Sequence, residues 1–202
     1  MRDTIKHSLA VLIFLLVSTH IKAQDPVRLR PVFAQASLLY DFPQSFGVIT
    51  GISWPFRTIV KSRIPGKSFI RRKDRFLAVE AGFYRYPFNY TGLLLMPGYG
   101  ARHYRSQSFF YETIVSLGLM RTFYDGKVYD VNATGNVTEK KLYGRFYATT
   151  HLSSAFDFRA SKLITLEVKP SVWFQYPFDS FIKPHLSLQA GIKLETGKRM
   201  VR

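Results

Sequence analysis

Phe181-Ile182-Lys183-Pro184-His185-Leu186-Ser187-Leu188-Gln189-Ala190-Gly191-Ile192-Lys193-Leu194-Glu195 is the stretch that decides the fold. Successive side chains of an extended strand point to opposite faces, so this segment has one oily side and one wet side. Ile182, Leu186, Leu188, Ala190, Ile192 and Leu194 share the first; Lys183, His185, Ser187, Gln189, Lys193 and Glu195 share the second.

The same alternation recurs upstream. Leu77, Val79, Ala81 and Phe83 alternate with Ala78, Glu80, Gly82 and Tyr84, and Val115, Leu117 and Leu119 with Glu112, Ser116 and Gly118. Phe146, Ala148, Leu152, Phe156 and Phe158 alternate with Arg145, Tyr147, Thr149, His151, Ser153 and Asp157. Ile164, Leu166, Val168, Val172 and Phe174 alternate with Thr165, Glu167, Lys169, Ser171 and Gln175. Period-two reading predicts eight strands, over about 32–40, 46–57, 75–86, 91–104, 109–124, 142–158, 163–176 and 181–195. Most of these exceed the roughly 9–11 residues that a tilted membrane strand needs. The second face is too polar for a dry core, and the two solvents such ribbons most simply separate are lipid and an enclosed lumen.

The first residues read as a secretory signal: Arg2 and Lys6 give a positive start, Leu9 to Val17 an apolar run, and Ala23 a small residue before Gln24. The expected division is a signal peptide over 1–23 and one barrel domain over 24–202. The apolar run is too short for a spanning helix, which needs roughly 20 residues. With no cysteine, disulfides, thiolate metal sites and cysteine nucleophiles are excluded. The formal net charge is +16, and leaving out Arg2, Asp3, Lys6 and Lys22 lowers it by two, to +14. In an exported chain that balance points to lipid phosphates and acidic glycans, and away from nucleic acid.

Three related turns carry a weak repeat: Tyr40-Asp41-Phe42-Pro43, Tyr84-Arg85-Tyr86-Pro87 and Phe174-Gln175-Tyr176-Pro177. Their spacing, about one and two hairpins, places all three at one end of an up-and-down meander, where aromatic girdles mark a membrane interface. The polar segment Asp125–Lys141, with Gly126, Asn132, Gly135 and Asn136, falls at that end and is the expected exposed tip. The connection from Arg57 to Arg75 holds Lys61, Arg63, Lys67, Arg71, Arg72 and Lys73 against a single acid, Asp74. Those six cations are the candidate site for anions or lipid phosphate; a solvated basic loop is the plainer reading.

The signal ending Ala23-Gln24, the alternation from Arg75 onward and the Tyr-x-Tyr/Phe-Pro turns together resemble the small Gram-negative outer-membrane β-barrel proteins of the eight-stranded group. The resemblance implies a single all-β, antiparallel, transmembrane barrel of about eight strands in the outer membrane. It implies a non-catalytic structural or binding component, whose partners are outer-membrane lipids, lipopolysaccharide included, and an envelope protein. A bore of this size is filled by side chains, so Glu80, Glu112, Arg145, His151, Asp157, Glu167 and Lys169 are expected as an interior polar network. No cofactor or metal is expected, since His103, His151 and His185 lie on separate strands without ligand spacing.

Two alternatives stay open at this level. Some small barrels of this group are lipid A deacylases with His and Ser two apart on one strand and Glu on the next, and His151-Leu152-Ser153 with Glu167 is similar. Ser154 stands where that group has Asn, the Glu spacing differs, and the strand phase turns His151 and Ser153 toward the lumen. The other is a soluble periplasmic β-sandwich with a basic ligand face, in which the apolar faces would pack against each other.

Overall fold

The computed structural model describes residues 32–42, 45–60, 72–141, 143–178 and 181–196. The signal segment and Lys61, Arg63, Lys67 and Arg71 lie outside them.

Ten strands follow one another: β1 (Val32–Asp41), β2 (Ser45–Val60), β3 (Arg72–Tyr86), β4 (Tyr90–Tyr104), β5 (Phe109–Tyr124), β6 (Val128–Val131), β7 (Val137–Lys140), β8 (Phe146–Arg159), β9 (Ile164–Phe178) and β10 (Phe181–Thr196). Eight of them close into one antiparallel barrel in the order β1-β10-β9-β8-β5-β4-β3-β2. Each neighbours its predecessor in the chain, and β1 pairs with β10 from Val32↔Thr196 to Asp41↔Ser187, so no sheet edge is left open. β6 and β7 form a separate two-stranded ribbon between β5 and β8. Its composition of Asn, Thr and Gly reads as loop. The turn between the two strands is held by Asn132, whose side-chain oxygen accepts from the Asn136 N–H at 2.8 Å, with Gly135 at φ +82°.

The β1–β2, β3–β4 and β9–β10 connections and the β6–β7 ribbon share one end, hereafter the ribbon end. β1 starts and β10 finishes at the other, the terminal end, where β4–β5 and β8–β9 are joined by four residues each. At the ribbon end Tyr86-Pro87-Phe88-Asn89 is a tight turn closed by the Asn89 N–H on the Tyr86 carbonyl at 3.2 Å. Its third position takes φ +61° on Phe88, whose side chain is fully exposed.

The orientation of the two faces excludes the sandwich. Leu38, Leu95, Leu117, Leu119, Leu166, Leu186 and Ile192 face outward and are exposed, whereas Glu80, Glu112, Asp157, Glu167, Lys169 and Lys193 are 0–2 % exposed in the bore. On β3 the outward series Leu77, Val79, Ala81 and Phe83 is bracketed by Arg75 and Arg85. Ten residues at about 3.3 Å each span about 33 Å along the strand; at a tilt near 40° this is about 25 Å, the height of a membrane barrel's apolar band. Between those levels no outward-facing side chain among the described residues of the eight strands is charged. With charge confined to the rims, the wall suits hydrocarbon.

Candidate functional site

The bore is filled in two layers. Toward the ribbon end, Leu39, Ile49, Tyr84, Tyr90, Leu94, Met96, Met120, Tyr147 and Trp173 form one buried cluster, flanked by Tyr86 and Tyr124. Room for the Tyr84 ring comes from β4, where a Cβ on Gly92 would collide with it; nearer the terminal end a Cβ on Gly100 would collide with the Phe76 ring. Small inward residues opposite large ones give interdigitation at interior density. Below the cluster's rim, His185 donates from Nδ1 to Asp41 Oδ2 at 2.8 Å and stacks on Trp173, ring centroids 3.7 Å apart.

Toward the terminal end the bore is ionic. Lys193 on β10 lies 2.6 Å from Glu167 on β9, 2.9 Å from Asp157 on β8 and 3.0 Å from Glu112 on β5. Arg102 on β4 donates from Nε to Glu112 at 2.5 Å, and its guanidinium carbon sits 3.9 Å from the Phe33 ring centre, with Phe76 and Phe110 beyond. A second pair crosses the bore higher up: Lys169 on β9 donates to Glu80 on β3 at 2.6 Å, and Gln35 donates to the same carboxylate oxygen, also at 2.6 Å. Charges removed from water in this way require partners at such distances, because several kcal/mol of desolvation per ion otherwise goes uncompensated.

Of the expected interior network, Glu80, Glu112, His151, Asp157, Glu167 and Lys169 face the bore. Arg145 does not. β8 begins one residue later, at Phe146, and Arg145 is exposed in the segment leading to it, its carbonyl accepting from the Thr122 N–H at 2.9 Å. Lys193, which the sequence reading placed on the wet face but outside the network, is its hub. The phase of one strand says which side a residue faces, but which charges meet across a bore depends on how all eight strands are staggered on closure. Glu112, Asp157 and Glu167 also have carboxylate oxygens within 4.8 Å of one another, close enough to hold a metal ion. The Lys193 ammonium lies among them, so the cationic role of that position is taken by a side chain.

The deacylase-like set does not assemble. His151 and Ser153 are both buried in the bore, and neither His151 Nδ1 nor Ser153 Oγ has a hydrogen-bond partner among the described residues. Ser153 pairs across the sheet with Ser171, His151 with Trp173, and Asp157 with Glu167. Glu167 is thus four residues along the strand from the level of Ser153, about 13 Å away, and is engaged by Lys193 and Ser37. A nucleophile needs its base within hydrogen-bond reach and the base needs its orienting acid, neither of which holds here.

The basic connection divides where it becomes visible. Arg72 turns toward the bore side and is bound by Asp74 through two hydrogen bonds of 2.8 and 2.6 Å, with its guanidinium over Tyr104. Lys73 faces the outer wall. The two were expected to act together, and alternation separates them. Elsewhere on the outside Arg121 lies over Phe146 at the ribbon end, 4.4 Å from the ring centre. On the β6–β7 ribbon Lys140 and Asp130 pair at 2.7 Å in the open, which raises the Lys140 pKa.

No protein-family model and no curated protein matches this chain. Among solved structures, it is similar to the outer membrane enzyme PagL, with a TM-score of 0.47 and 10% identity over 81% of this chain and 99% of that one. The N-terminal β-barrel domain of Pseudomonas aeruginosa OprF gives 0.45 and 14% over 83% and 98%, and Neisserial surface protein A gives 0.46 and 13% over 83% and 96%. These neighbours are eight-stranded outer-membrane barrels.

Proposed function

We propose that this chain is an outer-membrane barrel acting as a non-catalytic structural or binding component of the envelope, with anionic lipid or glycan among its partners. The observation that carries the reading is the inverted distribution of polarity: an outward band about 25 Å tall, charge-free among the described residues, around a bore packed with ion pairs. Such a wall has no use in water, and a bore filled from Tyr84 to Lys193 has no path for solutes. That packing favours a plugged barrel over a diffusion pore. The parts left to act are the rims and the β6–β7 ribbon, whose Tyr129, Val131 and Val137 are all more than half exposed.

The 21-residue connection between β5 and β8, longer than any other between barrel strands, favours an orientation with the ribbon outside and both barrel ends of the chain toward the periplasm. Cell fractionation tests the location. The protein should resist extraction by high salt, yield to detergent, and run faster on gels before boiling than after. In intact cells, protease should cut within 125–145 and leave the terminal end alone. Release by salt alone would overturn the membrane reading, and cutting confined to the terminal end would invert the orientation.

A further inference from the structure

We infer that the outer wall of β2–β5 at the terminal end is a binding site for the phosphate of an anionic glycerophospholipid. It rests on the membrane reading above and gives that reading one defined ligand site.

The site is built from Arg57, Lys73, Arg75, His103 and Arg105. Strand register brings them together: Arg57 pairs directly with Arg75, and Lys73 directly with His103. Side chains so opposed have Cβ atoms about 5 Å apart, and those two apart on one strand about 7 Å, so the cluster is one headgroup wide. A local irregularity produces it. Pro55 faces the bore, and regular alternation would send Arg57 inward too; the bulge between Pro55 and Arg57 instead leaves both Phe56 and Arg57 on the outside. Bulges at barrel rims re-aim side chains in this way.

Among the described residues no carboxylate pairs with Arg57, Lys73, Arg75 or Arg105. The acids at this level, Asp74 and Glu112, are buried in the bore, and among the described residues no Asp or Glu faces outward on β2–β5 at this end. Arg75 donates from Nη1 to the Tyr99 hydroxyl at 2.7 Å, and its buried Nε–H has no hydrogen-bond partner among the described residues. Like charges placed opposite one another across strands are destabilising. A phosphate bridging Arg57 and Arg75 would replace that repulsion with charge-assisted hydrogen bonds and would complete the Arg75 fork.

The surroundings fit a lipid more than a free anion. Directly toward the band lie Trp54, Phe56 and Tyr99, each about 40 % exposed, with the Phe56 and Tyr99 rings 6.0 Å apart. Toward the rim, His103 stacks on Tyr111 at 4.8 Å, and Arg105 lies over the same ring at 5.2 Å. Aromatic rings below and cations above are arranged as acyl chains and headgroup would be. In the orientation proposed above, this leaflet is the one made of glycerophospholipid.

Full-length protein, refolded in a neutral detergent and shown folded by heat-modifiable mobility, can be titrated with phosphatidylglycerol, phosphatidylcholine, lipid A and inorganic phosphate, with retained ligand read by native mass spectrometry. Selective retention of phosphatidylglycerol is expected, and Arg57→Gln with Arg75→Gln should weaken it about 30-fold, at about fivefold per cation. Equal retention of phosphatidylglycerol and phosphatidylcholine by the unaltered protein overturns the site, with no variant needed. So does a preference for lipid A, saturation by inorganic phosphate at similar concentration, or an unchanged affinity in a folded double variant. A chain that never enters vesicles or shows heat-modifiable mobility defeats the underlying membrane reading instead.

Discussion

Leu117 offers the most direct test of what wets the outer face. It is 65 % exposed, pairs with Thr150, and lies six residues from Tyr111 at one rim and six from Phe123 at the other. Six residues at about 3.3 Å and a tilt near 40° give about 15 Å along the barrel axis, which puts Leu117 near the midplane. An arginine there is expected to cost about 2–4 kcal/mol in a bilayer. Thr113, four residues nearer the terminal end and about 10 Å off the midplane, should cost only about 0–1 kcal/mol on the same change. In a water-soluble barrel both are exposed surface positions, and both substitutions fall within about 0.5 kcal/mol of zero. Reversible denaturant unfolding in lipid vesicles, followed by fluorescence of Trp54 and Trp173, measures the difference. If Leu117→Arg costs no more than Thr113→Arg, acyl chains do not cover this wall.

Lys193→Met removes the cation shared by three buried carboxylates and should lower stability by about 3–5 kcal/mol. At a slope near 2 kcal/mol/M that is a fall of about 2 M in the urea midpoint, and adding Glu167→Gln should restore part of it. An unchanged midpoint would mean the lattice contributes nothing. Gly92→Leu forces Tyr84 out of the aromatic layer, at an expected cost of about 1–3 kcal/mol and with a change in near-UV dichroism; a variant as stable as the parent, with its aromatic signal intact, would contradict the packing described.

The strands were legible because one physical cause produced them. A wall between lipid and a packed polar bore imposes period two on every segment, so Leu77–Phe83 and Ile182–Leu194 announce both element and face. Leu142–Phe158 shows where that reading fails. Alternation was carried back through Arg145, but the chain joins β5 only irregularly there, and Gly144 fits so tightly that a Cβ would strike the Thr122 carbonyl. The outward position of Arg57 is not legible for the same kind of reason, since the bulge after Pro55 leaves no mark in composition. The β6–β7 ribbon was read as a loop because four-residue strands are too short for a period. Lys193 was hidden more deeply: its three acids come from β5, β8 and β9, and nothing local in β10 says that they converge.

The position of Lys193 in the chain has a consequence for assembly. Glu112, Asp157 and Glu167 all precede it in the chain, on the neighbouring strands β5, β8 and β9, and among the described residues the other cation bound to this group is Arg102, on Glu112. A sheet lacking β10 would hold these three acids facing inward with the Arg102 guanidinium as their bound cation, beside the separate Glu80–Lys169 pair. It would therefore stay open and hydrated until the last strand delivers its ammonium. On this geometry, sealing the seam and neutralising this acid cluster would be one event.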